Sequence, residues 1–173
     1  EYNEIYNVLQ ETGDSGVIYS GRDWSFRGNV IRYNYIHDIP TIGGIGTFAI
    51  YMDDCMSSAE VYGNIFYNLA GRTFMMGGGR DHKIYNNILI NCGKGIAFDS
   101  RGLYGSYDNI PTQLTRLNNM PFKAETWATR YPELAATGGD VNILKAPAGN
   151  VIENNAYINT PDATMDQAVI DNS

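Results

Sequence analysis

The chain has 173 residues, 43% hydrophobic and 18% charged, which is the size of one domain with enough apolar content for a continuous core. Twelve Lys and Arg against 19 Asp and Glu give a net charge of -7, which argues against nucleic acid as a partner and, more weakly, against a strongly anionic glycan. Apolar runs such as TFAIYM and KIYNNILI are short and broken by Asn, Gly or Thr, so no membrane span is expected.

The first ten residues, EYNEIYNVLQ, lack the basic and apolar regions of a signal peptide and begin inside a repeat. Residues 1–173 are therefore expected to form a single domain, a mature fragment of a longer chain. An Asn-centred phrase recurs as YNEIYN, YNYIHD, GNIFYN, NNILIN and NNAYIN. It places Asn3, Asn34, Asn64, Asn87 and Asn155 in one register, with Ile5, Ile36, Phe66, Leu89 and Tyr157 two residues later. Asn7, Asp38, Asn68, Asn91 and Asn159 stand four residues after each Asn. Alternation over so short a stretch is a strand signal, and Asn or Asp at a fixed corner suits a turn whose side chain bonds neighbouring backbone.

A second strand recurs as GVIYSG, AIYMDD, TFMMGG and GIAFDS, aligning Val17, Ile50, Phe74 and Ile96. These are expected to point inward with Tyr19, Met52, Met76 and Phe98. The Asn positions lie 31, 30, 23 and 68 residues apart; the shortest interval suits one rung of a large solenoid, and the longer ones are rungs with insertions. Such repeats bury an apolar face only by stacking with parallel strands. The expectation is an all-β chain folded as a parallel β-helix of about four to five rungs. Residues 111–137, with Pro111, Pro121 and Pro132 as breakers, read as one or two short helices inserted into the last rung, either a cleft wall or lid or a packing excursion.

Extending the second strand by one residue puts Ser20, Asp53, Gly77 and Asp99 in an outward column. With strands about 4.8 Å apart, the backbones of Asp53 and Asp99 stand roughly 9.6 Å apart. Glycoside hydrolysis needs a proton-donating acid and a carboxylate that activates water or attacks the sugar, at about 6.5–9.5 Å for inversion and about 5–5.5 Å for retention. Gly77 between them leaves a trough for a sugar; outward acids at strand ends are, alternatively, solvated or paired with Arg. Asp54 is a substitute or support for Asp53. Arg80 and Arg101 are candidates to hold sugar hydroxyls or orient the acids, or simply to pin the turns. Trp24 is divided between stacking on a sugar and burial, while burial is favoured for Trp127. His82 beside the column is a candidate base or a surface residue, and His37 is structural. Cys55 and Cys92, the only cysteines, read as small buried hydrophobes, with a disulfide as the alternative.

The segments AIYMDDCMSSAEVYGNIFYN, GGGRDHKIYNNILINC, IAFDSRG, WATRYPEL and GNVIENN resemble secreted bacterial right-handed parallel β-helix proteins of the pectin-lyase-like kind, many assigned as glycoside hydrolases of the fucosidase and xylanase type. The resemblance covers most of the chain. It implies a right-handed solenoid, a carbohydrate substrate, a secreted or periplasmic setting, and acids on the outward face of one sheet, matching Asp53 and Asp99. No metal or other cofactor is expected for hydrolysis. A polysaccharide lyase or uronate epimerase is the competing enzyme, with Lys94, Arg80 or His82 as base and Ca²⁺ on the acids. A non-catalytic glycan-binding or assembly module is the third reading.

Overall fold

The computed structural model describes residues 1–104 and 109–173, and most of its regular structure is β-strand. One pass of the chain forms β1 (Glu4–Tyr6), β2 (Ser15–Gly21) and β3 (Asn29–Arg32). The next forms β4 (Tyr35–Ile39), β5 (Thr47–Asp53) and β6 (Ala59–Tyr62), and a third forms β7 (Ile65–Leu69), β8 (Arg72–Gly77) and β9 (Lys83–Tyr85). After β10 (Ile88–Ile90) and β11 (Lys94–Asp99) come a 3-10 turn at Arg101–Leu103 and four short helices: α1 (Ile110–Asn118), α2 (Glu125–Arg130), α3 (Pro132–Ala136) and α4 (Val141–Leu144). β12 (Val151–Glu153), β13 (Ala156–Ile158), β14 (Thr164–Met165) and α5 (Gln167–Ile170) follow. Three sheets collect one strand from each pass: β1-β4-β7-β10-β13, β2-β5-β8-β11-β14 and β3-β6-β9-β12. Their pairings are parallel.

The repeated Asn explains why the passes stack in register. Asn3 Nδ2 donates to Asn34 Oδ1 at 2.9 Å, Asn34 to Asn64 at 3.0 Å, Asn64 to Asn87 at 3.0 Å and Asn87 to Asn155 at 2.9 Å. Each acceptor oxygen also takes the backbone N–H of the preceding Asn, at 3.0–3.2 Å. Asn64 and Asn87 are fully buried, so these bonds replace water that cannot reach the groups. The corner four residues on is left-handed in every pass, with φ of 52° at Asn7, 51° at Asp38, 54° at Asn68, 52° at Asn91 and 48° at Asn159. Asn and Asp are the non-glycine residues that best tolerate this region.

Between the sheets, side chains at one position stack on their equivalents. Ile5, Ile36, Phe66, Leu89 and Tyr157 align in the first sheet. Ile18, Ile50, Phe74 and Ile96 align in the second, and Ile31, Val61, Ile84 and Ile152 in the third. All belong to one core, in which each fully buried Ile or Phe contributes roughly 1.5–3 kcal/mol. Phe48, Tyr51 and Met75 form a separate cluster on the second sheet's other face, with Ala97 against it.

Two expectations require correction. In β2 the register is shifted by one residue: Ile18, not Val17, pairs with Ile50, Ser20 with Met52, and Gly21 with Asp53. Tyr19 therefore pairs with Tyr51 and is half exposed rather than inward. The Ile-Tyr step at 18–19 matches the one at 50–51, a closer likeness than the end-to-end alignment of the two phrases. The helical stretch runs past 137 to Leu144 and makes four helices between β11 and β12. It has its own core, in which Leu117, Phe122, Leu134 and Leu144 pack with Trp24 and Cys55. Cys55 and Cys92 are both buried and free.

Asn87→Ala deletes bonds to Asn155, Val61, Tyr85 and Asn64 at once. It is expected to cost roughly 2–4 kcal/mol in urea unfolding. Exposed Asn68→Ala, which loses one surface bond to Asp38 and a left-handed preference, is expected to cost roughly 1 kcal/mol. Equal costs would contradict the structural priority of the buried column.

Candidate functional site

The second sheet positions the acids. Gly21 pairs with Asp53 and Asp99 with Gly77, and the Met52–Met76 pairing carried one residue further sets Asp53 beside Gly77. The column is therefore Gly21, Asp53, Gly77 and Asp99, with Gly21 in the place expected for Ser20. Arg101, just past the end of β11, folds back across this column. A Cβ on Gly77 would stand 2.6 Å from Arg101 Cζ, so the guanidinium crosses β8 only because that residue is glycine. The trough expected to admit a sugar over Gly77 is filled by this side chain.

Arg101 collects three carboxylates from two passes. Its Nη1 donates to Asp53 Oδ1 at 2.7 Å and to Asp54 Oδ1 at 3.0 Å. Its Nε and Nη2 take Asp99 in a fork at 3.0 and 2.8 Å, the bidentate geometry that guanidinium favours. Arg22 Nε stands 2.8 Å from Asp54 Oδ2. Asn109 Nδ2 donates to the same oxygen at 3.0 Å, and Gln113 Nε2 donates to the Asp54 carbonyl at 2.8 Å. The start of α1 thus closes one side of the cluster. The Tyr19 hydroxyl donates to Asp53 Oδ2 at 3.0 Å.

Burial first, and then the charge of Asp54, push the Asp53 carboxyl above the usual carboxylate range. Burial and the charge of Asp53 likewise raise the Tyr51 phenol. The turn that delivers Asp54 is strained: Asp54 and Cys55 have φ of 47° and 62°, where the next pass uses Gly78 and Gly79 at 71° and 88°. A non-glycine residue in this region costs about 1–3 kcal/mol.

Four of the seven expected site residues, Asp53, Asp54, Asp99 and Arg101, come together; Arg80, His82 and Trp24 do not. Arg80 turns away, with Nε 3.2 Å from Asp81 and Nη1 donating to the Ile143 carbonyl at 2.7 Å, which ties α4 to the strand corner. His82 is fully buried. Its Nδ1 accepts the Ala59 N–H at 3.1 Å and its Nε2 donates to the Met56 carbonyl at 2.8 Å. Burial pushes its imidazole down to about 3, so it is a neutral structural bridge rather than a base. Trp24 is fully buried in the core of the helical segment and has no face to offer a sugar. Arg22, Tyr19, Asn109 and Gln113 were not singled out from the sequence. Arg22 follows Gly21 in the polar GRDW turn, where the corrected register makes it visible.

A cleft of about 480 Å³ opens elsewhere, between the third sheet and α2–α3, lined in part by Glu60, Asp81, Lys83, Arg130, Tyr131 and Glu133. Two of its carboxylates, Asp81 and Glu133, share Arg27 Nη1 at 2.8 and 3.0 Å, and Glu60 accepts from the Tyr85 hydroxyl. The Arg101 cluster, which gathers three acids from two passes and raises one of them, is the stronger candidate. No family model, curated protein or solved structure matches the chain.

The raised Asp53 carboxyl sets the sign of a stability test. Its stabilising effect is complete below the unfolded carboxylate range and fades as pH rises through the folded value. Arg101 opposes this shift, so Arg101→Met enlarges it and leaves three acids facing one another. The variant is expected to lose roughly 3 kcal/mol at pH 7 and distinctly less at pH 4, read from urea unfolding at each pH. An equal loss at both would mean that Arg101 acts by packing alone.

Proposed function

We propose that the three sheets are the faces of one right-handed parallel β-helix of the pectin-lyase-like kind, and that the chain is a glycoside hydrolase working through Asp53 and Asp99. The handedness follows from the strong right-handed preference of connections between parallel strands. The observation that carries the function is the convergence of Asp53 and Asp99, from different passes, on one guanidinium. Their bonds to Arg101, 2.7 and 2.8 Å long, together with the width of one guanidinium, bring the nearest oxygens within about 8 Å. Catalytic carboxylate pairs span about 5–9.5 Å.

The roles follow from the environments. Asp53, buried beside Asp54 and raised, is the proton donor to the leaving oxygen. Asp99, more open at 24% side-chain exposure and held in a fork by Arg101, is the carboxylate that activates water or attacks the sugar. The half-exposed Tyr19, bonded to Asp53 and edge-on to Tyr51, supplies an aromatic surface next to the acid. One observation favours a non-catalytic glycan-binding module instead: Arg101 occupies the space over Gly77 and satisfies all three carboxylates.

Turnover on neutral and uronic-acid glycans with analysis of the product ends separates these readings. Asp53→Asn and Asp99→Asn are each expected to lower hydrolysis by about 10²–10⁴-fold, with new reducing ends from the parent protein. Asp54→Asn removes a charge that raises Asp53, so the alkaline limb of the pH–rate profile is expected to move to lower pH. Unsaturated ends would transfer the case to a lyase, and binding without turnover to a module.

A further inference from the structure

At the ends of its strands opposite the acids, the second sheet carries two cations, Arg72 and Lys94. Lys94 pairs directly with Arg72 across β11 and β8. Like charges directly opposite in a sheet are destabilising, and these two stand in a chain of net charge -7. Neither has an ion-pair partner among the described residues. Arg72 lies over the Phe48 ring, 5.7 Å from its centroid, and its other side-chain contact is with the Met75 sulfur at 3.7 Å; the Lys94 ammonium is exposed.

Two grooves of about 240 Å³ each share these cations as common walls. One is floored by glycines, including Gly44, which has open space around it. The other reaches Asp162, which makes no ion pair with either cation among the described residues. Asp99 lies five residue steps along β11 from Lys94, so the cations stand about 16 Å from the acid column. Phe48, Tyr51 and Met75 cluster on the face between.

We propose that Arg72 and Lys94 form a subsite for a single anionic group on a glycan, a carboxylate or a sulfate, bound while the neutral remainder of the chain lies across the aromatic patch toward Asp53 and Asp99. The direction of the bound glycan rests on the hydrolase reading; the anion subsite itself does not. An anion between the two cations relieves their repulsion, and the arginine fork and the mobile ammonium together suit an oxyanion. One such group is compatible with a chain whose overall charge disfavours a polyanion.

The test is an NMR titration of the full chain with D-glucuronate, D-glucose 6-sulfate and D-glucose. At least one charged probe is expected to shift the amides around Gly93, Lys94 and Arg72, while glucose leaves them in place, and the better charged probe identifies the substituent. Lys94→Gln, at an exposed position that the fold does not depend on, and Arg72→Gln are each expected to weaken that binding at least fivefold. Glucose shifting the same amides as strongly, no shift with either anion, or undiminished binding by Lys94→Gln overturns the subsite. Hydrolysis is read separately: charge-selective binding in a protein that cleaves no glycan keeps the subsite and removes the hydrolase, and cleavage without charge-selective binding does the reverse.

Discussion

A column of asparagine amides, buried at Asn34, Asn64 and Asn87, is the constraint on which the rest of the molecule depends. Each amide donates to the next and receives from the one before, so every pass is fixed to its neighbour at one point to within a hydrogen-bond length. An amide left without its partner in this dry setting costs more than an ordinary bond contributes, so the column does not tolerate slippage. Everything else in a pass is free to vary in length. Asn64 and Asn87 are 23 residues apart, Asn87 and Asn155 are 68, and the bond between neighbours is the same. The four helices enter within the longer interval and leave the strand register on either side intact.

That register creates the acid cluster. Asp53 and Asp99 belong to passes separated by a whole strand, β8, and only the alignment of all three strands lets one arginine reach both. Gly77 is the opening through which the guanidinium crosses. The helical segment closes the far side: Trp24 anchors its core, and Asn109 and Gln113 reach back to Asp54. The site is a junction between the repeats and their largest interruption.

This division explains what could be read from the sequence. The Asn column, the corners four residues on and the stacked positions Ile36, Phe66 and Leu89 were legible because each recurs at a fixed offset and the structure repeats with it. The register of β2 was missed because two adjacent alignments of GVIYSG differ by one apolar residue, and the Ile-Tyr match decides between them. The three misplaced site residues share another cause. Trp24 is buried by Leu117 and Leu134, about a hundred residues later in the chain, and Arg80 is turned away by the carbonyl of Ile143. His82 looks like a turn histidine, yet it fills a ladder position, taking the Ala59 N–H much as Asn150 takes its own. The contacts of Trp24 and Arg80 leave no periodic trace, and the His82 ladder keeps the asparagines' 23- and 68-residue spacing but changes residue type at each step, from Ala59 to His82 to Asn150.

Acid chemistry at this column requires a particular state of one carboxyl group, that of Asp53. A ¹³C NMR titration of the aspartate side-chain carboxyls, with Asp53→Asn to assign the signal, measures it in the intact protein. Asp53 is expected to titrate distinctly above the ordinary aspartate value of about 3.9, as a buried proton donor beside Asp54 must. A midpoint at or below that value would make Asp53 an ion-paired strut held by Arg101, and would contradict the assignment of acid chemistry to this column.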